Sequence, residues 1–195
     1  MLFCAAAIVL VAVLVCYLKM EVVYEQSFTV DCSPSKSVIF DFLKTPSNLE
    51  RIHPRIQEVL DIQTDNSTTS FLIQEDMGVL FGSRTFPMNL TTFSLSQVTS
   101  CISLDSSSIV ADVTVTLSIS DYDTLQPASE TNPLMSRDVP SATIQGRVKV
   151  KSMRILTYII TSFVLNVWQI TISSAIDLLQ KESNNPSQTK PPKLH

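Results

Sequence analysis

Between Val30 and Ile62 (VDCSPSKSVIFDFLKTPSNLERIHPRIQEVLDI) the chain must end one strand, form two short helices and begin another strand. Pro34 follows Ser33, which sets an N-cap hydroxyl before a residue whose missing amide costs nothing in a first helical turn. Val38, Ile39, Phe42 and Leu43 then form an apolar stripe at helical spacing. Pro46 stops this helix, Leu49 to His53 makes a second one, and Pro54 ends it.

Strand patterns fill most of the remaining sequence. From Glu21 to Cys32, Tyr24, Phe28 and Val30 share one face, with Glu25, Ser27, Thr29 and Asp31 on the other. Ile56 to Ile62, Ser70 to Gln74, Arg84 to Leu95 and Cys101 to Leu104 read as further strands, with turns such as Asp65-Asn66 and Gly82-Ser83. The alternation is cleanest from Ile109 to Ser120, the signature of a sheet with one buried and one wet face. It resumes at Ala142, with Ile144, Gly146, Val148 and Val150 facing in and Gln145, Arg147, Lys149 and Lys151 facing out. Asp121 to Ser141 has three prolines and no period, and reads as a long loop. Met153 to Lys181 reads as one long helix, uncharged between Arg154 and Asp177. Its apolar side gathers Leu156, Ile160, Phe163, Val164, Val167 and Leu178, against Tyr158, Ser162, Asn166, Gln169 and Ser173 opposite.

This order of strand, two helices, about six strands and a long terminal helix, with the helix-turn-helix following the first strand, resembles the START-like or SRPBCC domains (the polyketide cyclase and lipid-transport superfamily). The resemblance covers roughly Glu21 to Glu182. It implies an α+β helix-grip fold, in which a curved antiparallel sheet of six or seven strands wraps around the C-terminal helix and holds an apolar ligand. It further implies that Phe28, Val113, Val115, Leu156, Ile160, Phe163, Val164 and Val167 line that cavity. Two departures stand out: Ile52 occupies a position where many relatives carry Trp, and the Asp121–Ser141 insertion is longer than a hairpin.

Ahead of this domain, Leu2 to Leu18 (LFCAAAIVLVAVLVCYL) carries no charge, Pro or Gly, and Lys19 closes it. Its length is at the short end of a membrane-spanning helix. It has no basic leading region and no small-residue cleavage site, which favours an uncleaved anchor over a secretory signal. The expected organisation is an anchor over 1–20, a START-like domain over 21–182 and a disordered tail over 183–195. Lys19 places the main domain in the cytosol. The sequons at Asn66 and Asn89 argue for the alternative, a lumenal or secreted domain. Ile155 to Ile172 is long enough for a second span, but its polar residues would need partners in hydrocarbon. Cys32 and Cys101 are expected as buried free thiols, with a disulfide between them the other option.

The chain has 14 Lys and Arg against 18 Asp and Glu, and no basic cluster, so it lacks a nucleic-acid footprint. It has no phosphate loop, nucleophile elbow or metal-ligand spacing, and its three glycines are isolated. No cofactor or metal is expected. His53 is the one candidate acid-base group, read as a surface or capping residue. Glu75 and Asp76 are adjacent, so they point to opposite faces and read as solvated turn residues. Arg84 and Arg147 are weaker candidates for contact with a ligand headgroup. The expectation is a membrane-anchored, non-enzymatic domain that binds or transfers a lipid or isoprenoid. The alternatives are a cyclase, dehydratase or hydrolase using the same cavity, and an interaction module with a filled core.

Overall fold

The computed structural model describes residues 20–76, 82–96, 98–108, 111–122 and 141–184. The expected anchor, apart from Met20, lies outside the described residues, as do 123–140 of the expected loop and 185–195 of the expected tail.

The chain runs β1 (Glu21–Cys32), α1 (Lys36–Leu43), a 3-10 turn (Pro46–Asn48), α2 (Leu49–Ile52), β2 (Ile56–Asp65), β3 (Thr68–Asp76), β4 (Ser83–Ser94), β5 (Thr99–Ser107), β6 (Ala111–Asp121), β7 (Ala142–Met153) and α3 (Arg154–Asn184). The strands form one antiparallel sheet in the order β1-β7-β6-β5-β4-β3-β2. First and last strands pair along their whole length, from Glu21 opposite Met153 to Cys32 opposite Ala142.

One face of the sheet is apolar. Phe28, Ile144, Val148, Val150, Val115, Leu117, Ile119, Ile102, Leu104 and Leu90 form a continuous core with α1, α2 and the C-terminal half of α3. The alternation read from the sequence over β6 and β7 is the alternation observed: Ile144, Val148 and Val150 are buried, and Gln145, Arg147, Lys149 and Lys151 are exposed. Burying a row of such side chains is worth about 25 cal/mol per Å² of apolar surface, the main force holding sheet and helices together.

Several local expectations are corrected. Ser35, not Ser33, stands at the N-cap of α1, and its side chain makes no capping bond. The Ser33 hydroxyl instead accepts a hydrogen bond from Gln180 Nε2 at 3.2 Å. Pro46 does more than stop a helix, since it opens the 3-10 turn that feeds α2. Val38 is exposed, so the buried stripe of α1 is Ile39, Phe42 and Leu43. The terminal helix extends through Asn184, past the expected start of the tail.

The buried side of α3 also differs from the apolar side read from the sequence. Thr157, Thr161, Thr171, Trp168, Ile172, Ala175 and Ile176 are buried with Val167, whereas Phe163 is exposed. The threonine hydroxyls disarm their own polarity: Thr161 donates to the Thr157 carbonyl at 2.7 Å and Thr171 to the Val167 carbonyl at 2.8 Å. By length and composition the Arg154–Ser183 stretch could cross a membrane. It lies instead against the sheet, with Thr161, Thr171 and Ile172 fully buried there.

Cys32 and Cys101 are free and buried. Cys32 donates to the Ala142 carbonyl at 3.2 Å, and burial followed by the nearby Asp31 pushes its pKa up to about 11.

Candidate functional site

Pro54 holds the backbone out of the helix at His53, the residue that caps α2 with an extended conformation. The His53 ring turns inward and is buried. Its Nδ1 accepts from the Ile56 amide at 3.2 Å and from the Arg55 amide at 3.4 Å, so the ring proton sits on Nε2. The Trp168 indole of α3 meets it edge-on, with ring centroids 5.8 Å apart. Desolvation, and then the positive charge of Arg55, lower the His53 pKa to about 4, which leaves the ring neutral at physiological pH. The expectation of a surface histidine is therefore corrected, although its link to the end of α2 holds.

Arg55 follows Pro54 at the entry to β2. Its Nε lies 3.3 Å from Glu75 Oε1 and donates to the Asp76 carbonyl at 2.8 Å, and Nη2 donates to that same carbonyl. The guanidinium stands 5.1 Å from the centroid of the Phe163 ring on α3, a cation–π distance. Two irregularities in the β2–β3 pairing, between Ile56 and Glu58 and between Leu60 and Gln63, bring Arg55 level with Asp76. One of them contains Asp61, whose φ of 51° is unusual for a non-glycine residue.

Glu75 is the residue that the sequence reading misplaced. It continues the inward row Phe71, Ile73, Glu75 of β3, and it sits in register with Arg84 of β4, as Ile73 does with Phe86. Its side chain is 18% exposed. Desolvation raises its pKa, and Arg55 opposes that rise without cancelling it. A carboxyl that holds its proton more tightly than usual, beside a fixed guanidinium, can take a proton from or return one to a bound molecule. Extending the alternation of β3 by one more step would have found it.

The eight residues expected to line a cavity separate into two groups. Phe28 and Val115 belong to the filled core, with Val167 buried close to it. Val113, Leu156, Ile160 and Val164 are half-buried, and Phe163 is 45% exposed beneath Arg55. Val113, Ile160 and Val164 pack against the margin of the core with half-buried Val59 and Phe86. That margin reaches the Arg55–Glu75 pair through Val59 and Phe86, which flank Ile73, and through Phe163. A surface hollow of about 490 Å³ lies elsewhere, around Ser27, Thr29, Phe93, Thr116, Gln145 and Arg147 on the outer face of the sheet. There Arg147 is engaged with Glu25 at 3.1 Å. Among the described residues, no group of three or more His, Cys, Asp or Glu side chains is placed to hold a metal ion.

No family model matches the sequence, and no curated protein does. Solved structures do match. Zhui aromatase/cyclase from Streptomyces sp. R1128 superposes with a TM-score of 0.62 at 8% identity, over 85% of this chain and 99% of that one. Norcoclaurine synthase from Thalictrum flavum, solved with dopamine and hydroxybenzaldehyde, gives a TM-score of 0.56 at 10% identity, over 90% and 94%. The di-domain aromatase/cyclase StfQ of the steffimycin biosynthetic pathway gives 0.58 at 7% identity, and this chain spans about half of it, 52%. Identities this low establish the fold alone, and that fold is the START/SRPBCC-like helix-grip. The expectation of a non-enzymatic chain is corrected by these likenesses, because the structures just named are an aromatase/cyclase, a synthase and a second aromatase/cyclase.

Proposed function

We propose that this helix-grip domain is an enzyme that moves protons on an apolar, carbonyl-bearing small molecule, in the manner of a cyclase or dehydratase. The observation that carries the reading is the Arg55–Glu75 pair, placed beside Phe163 at the apolar margin of the core, with the Glu75 pKa raised by desolvation. The half-buried residues Val113, Leu156, Ile160 and Val164 would hold the apolar body of the substrate through area burial alone. Glu75 would take a proton from the carbon next to a carbonyl and become neutral. The negative charge then resides on the carbonyl oxygen, where the Arg55 guanidinium stabilises it. The resulting carbon nucleophile can attack a second carbonyl of the same molecule, closing a ring. The proton held by Glu75 returns to the new alkoxide and gives a hydroxyl. In a dehydratase Glu75 would then take a second proton from the adjacent carbon and return it to the departing hydroxyl, which leaves as water as the double bond forms. His53, neutral and fixed by two backbone amides, would position the Arg55 loop rather than act as a base. A membrane tether at Leu2–Leu18 would suit a substrate of low water solubility, a lipid or isoprenoid ketone among them.

The test uses a plain aryl alkyl ketone as the probe. The full chain is incubated with it in D2O, and deuterium exchange at the carbon next to the carbonyl is followed by NMR. Exchange well above the buffer rate is expected. Glu75→Gln should lose most of the roughly 10²–10⁴-fold that general acid–base catalysis supplies, while keeping the wild-type circular dichroism. Exchange no faster than buffer, or unchanged in Glu75→Gln, would sink the reading.

A further inference from the structure

The N-terminal half of α3 presents an apolar surface that, among the described residues, nothing covers. Ile155, Ile159, Phe163 and Ile170 follow one another along the helix at spacings that keep them on a single exposed side. Ile155 is 54% exposed and Ile159 is 64% exposed. Tyr158, at 64% exposed, meets Tyr24 of β1 edge-on at 6.1 Å, which carries the surface onto the sheet edge. Met20 and Met153, both exposed, extend it around the start of the helix, where the Arg154 amide donates to the Met20 carbonyl at 2.9 Å. No charged residue occurs between Arg154 and Asp177. The polar residues interleaved with the stripe, Ser162, Asn166 and Gln169, are uncharged. An apolar surface rich in aromatic residues, with Arg154 at its start and the Arg55 guanidinium at Phe163, marks an interaction site.

The chain itself says what lies against it. The apolar, uncharged run Leu2–Leu18 ends two residues before Met20, and Met20 lies at the same pole of the molecule as the first turn of α3. Chain connection through Met20 therefore ties whatever accommodates that run to the end of the stripe. We infer that the stripe Ile155–Ile159–Phe163, together with Tyr24 and Tyr158, is a bilayer-contact surface that lies in the headgroup boundary of the membrane entered by Leu2–Leu18. The mixture of aliphatic, tyrosine and uncharged polar residues suits that boundary better than the hydrocarbon centre. Phe163 belongs both to the stripe and to the Arg55 contact. An apolar molecule leaving the bilayer along this surface therefore reaches the Arg55–Glu75 pair without crossing water. The membrane contact does not depend on the proposed chemistry and is tested apart from it.

The full chain is reconstituted in phosphatidylcholine vesicles that carry a phosphatidylcholine with a diazirine in its acyl chain. After illumination, lipid adducts are mapped by peptide mass spectrometry. Adducts on Ile155–Phe163 and Tyr24, in addition to those on Leu2–Leu18, are expected, with none on the outer-face residues Lys149 and Arg147. The double variant Ile155→Ser, Ile159→Ser should lose the adducts on α3, keep those on Leu2–Leu18 and retain the wild-type thermal midpoint. Adducts confined to Leu2–Leu18 would overturn the inference. That result would name Leu2–Leu18 of the same chain, or a second copy, as the occupant of the stripe.

Discussion

A methyl group on Gly146 would stand inside the van der Waals envelope of the Phe28 ring, which lies across the bare backbone between β1 and β7. The backbone of Gly146 needs no unusual torsion, so the position is small for the sake of that ring alone. Gly146→Ala should therefore cost about 1–3 kcal/mol through overpacking. The same change in a Phe28→Leu background, where the intruding ring is gone, should cost clearly less. Urea denaturation of the four proteins measures both numbers, and equal costs in the two backgrounds would show that the contact with Phe28 is not the reason. Glu75 shows the converse effect at the same scale. There the neighbours of one side chain, Arg55 on one side and the apolar margin on the other, turn an ordinary strand carboxylate into the candidate acid-base group.

Among the elements, α3 departs furthest from its sequence pattern. A wheel drawn on hydrophobicity turns Phe163 inward, yet the observed seam runs through Thr157, Thr161, Trp168, Thr171, Ile172 and Ala175. Threonine can occupy a seam because its hydroxyl bonds back to the carbonyl four residues earlier and presents its methyl to the sheet. Those carbonyls already accept a helical amide, so losing the hydroxyl leaves no buried group unsatisfied. Thr161→Val should accordingly change stability by no more than about 0.5 kcal/mol in either direction, as expected when both partners of a bond are dispensable. Ile172→Ala, about three turns further along the same helix, should cost roughly 2–5 kcal/mol as a cavity forms. Thermal and urea unfolding separate the two cases. A large loss in Thr161→Val would mean that its hydroxyl has a partner beyond the helix.

For the molecule as a whole, His53 links pH to stability because it joins the α2–β2 corner to Trp168 of the long helix. Its pKa in the fold is about 4, below the ordinary 6.5. The unfolded chain therefore binds this proton below pH 6.5, whereas the folded chain resists it until about pH 4. The stability associated with a neutral His53 is complete above pH 6.5 and is lost as pH falls towards 4. Glu75 acts in the opposite sense: its raised pKa withdraws stability as pH rises through the folded value. A comparison with His53→Asn isolates the histidine, since the Asn carbonyl can accept the amides that Nδ1 accepts but does not titrate. Between pH 7.5 and pH 5 the stability difference between the two proteins should shift by about 2 kcal/mol against the wild type. Parallel pH profiles would mean that His53 takes up its proton in the fold as readily as in the unfolded chain.

The sequence by itself determined the order of the elements and the inward face of β6 and β7, because a period of two is a local property that survives any tertiary arrangement. It also fixed the two-helix corner, through Pro46 and Pro54. The tertiary structure decided what depends on distant neighbours. Which side of α3 is buried follows from where the sheet lies, and not from which residues are most apolar. The Arg55–Glu75 pair exists because two irregularities shift the β2–β3 register. A hairpin paired evenly from Asp65 opposite Thr68 would set Arg55 beyond Asp76. Alternation marks which face a residue takes but is silent about a register shift, and this site rests on that shift.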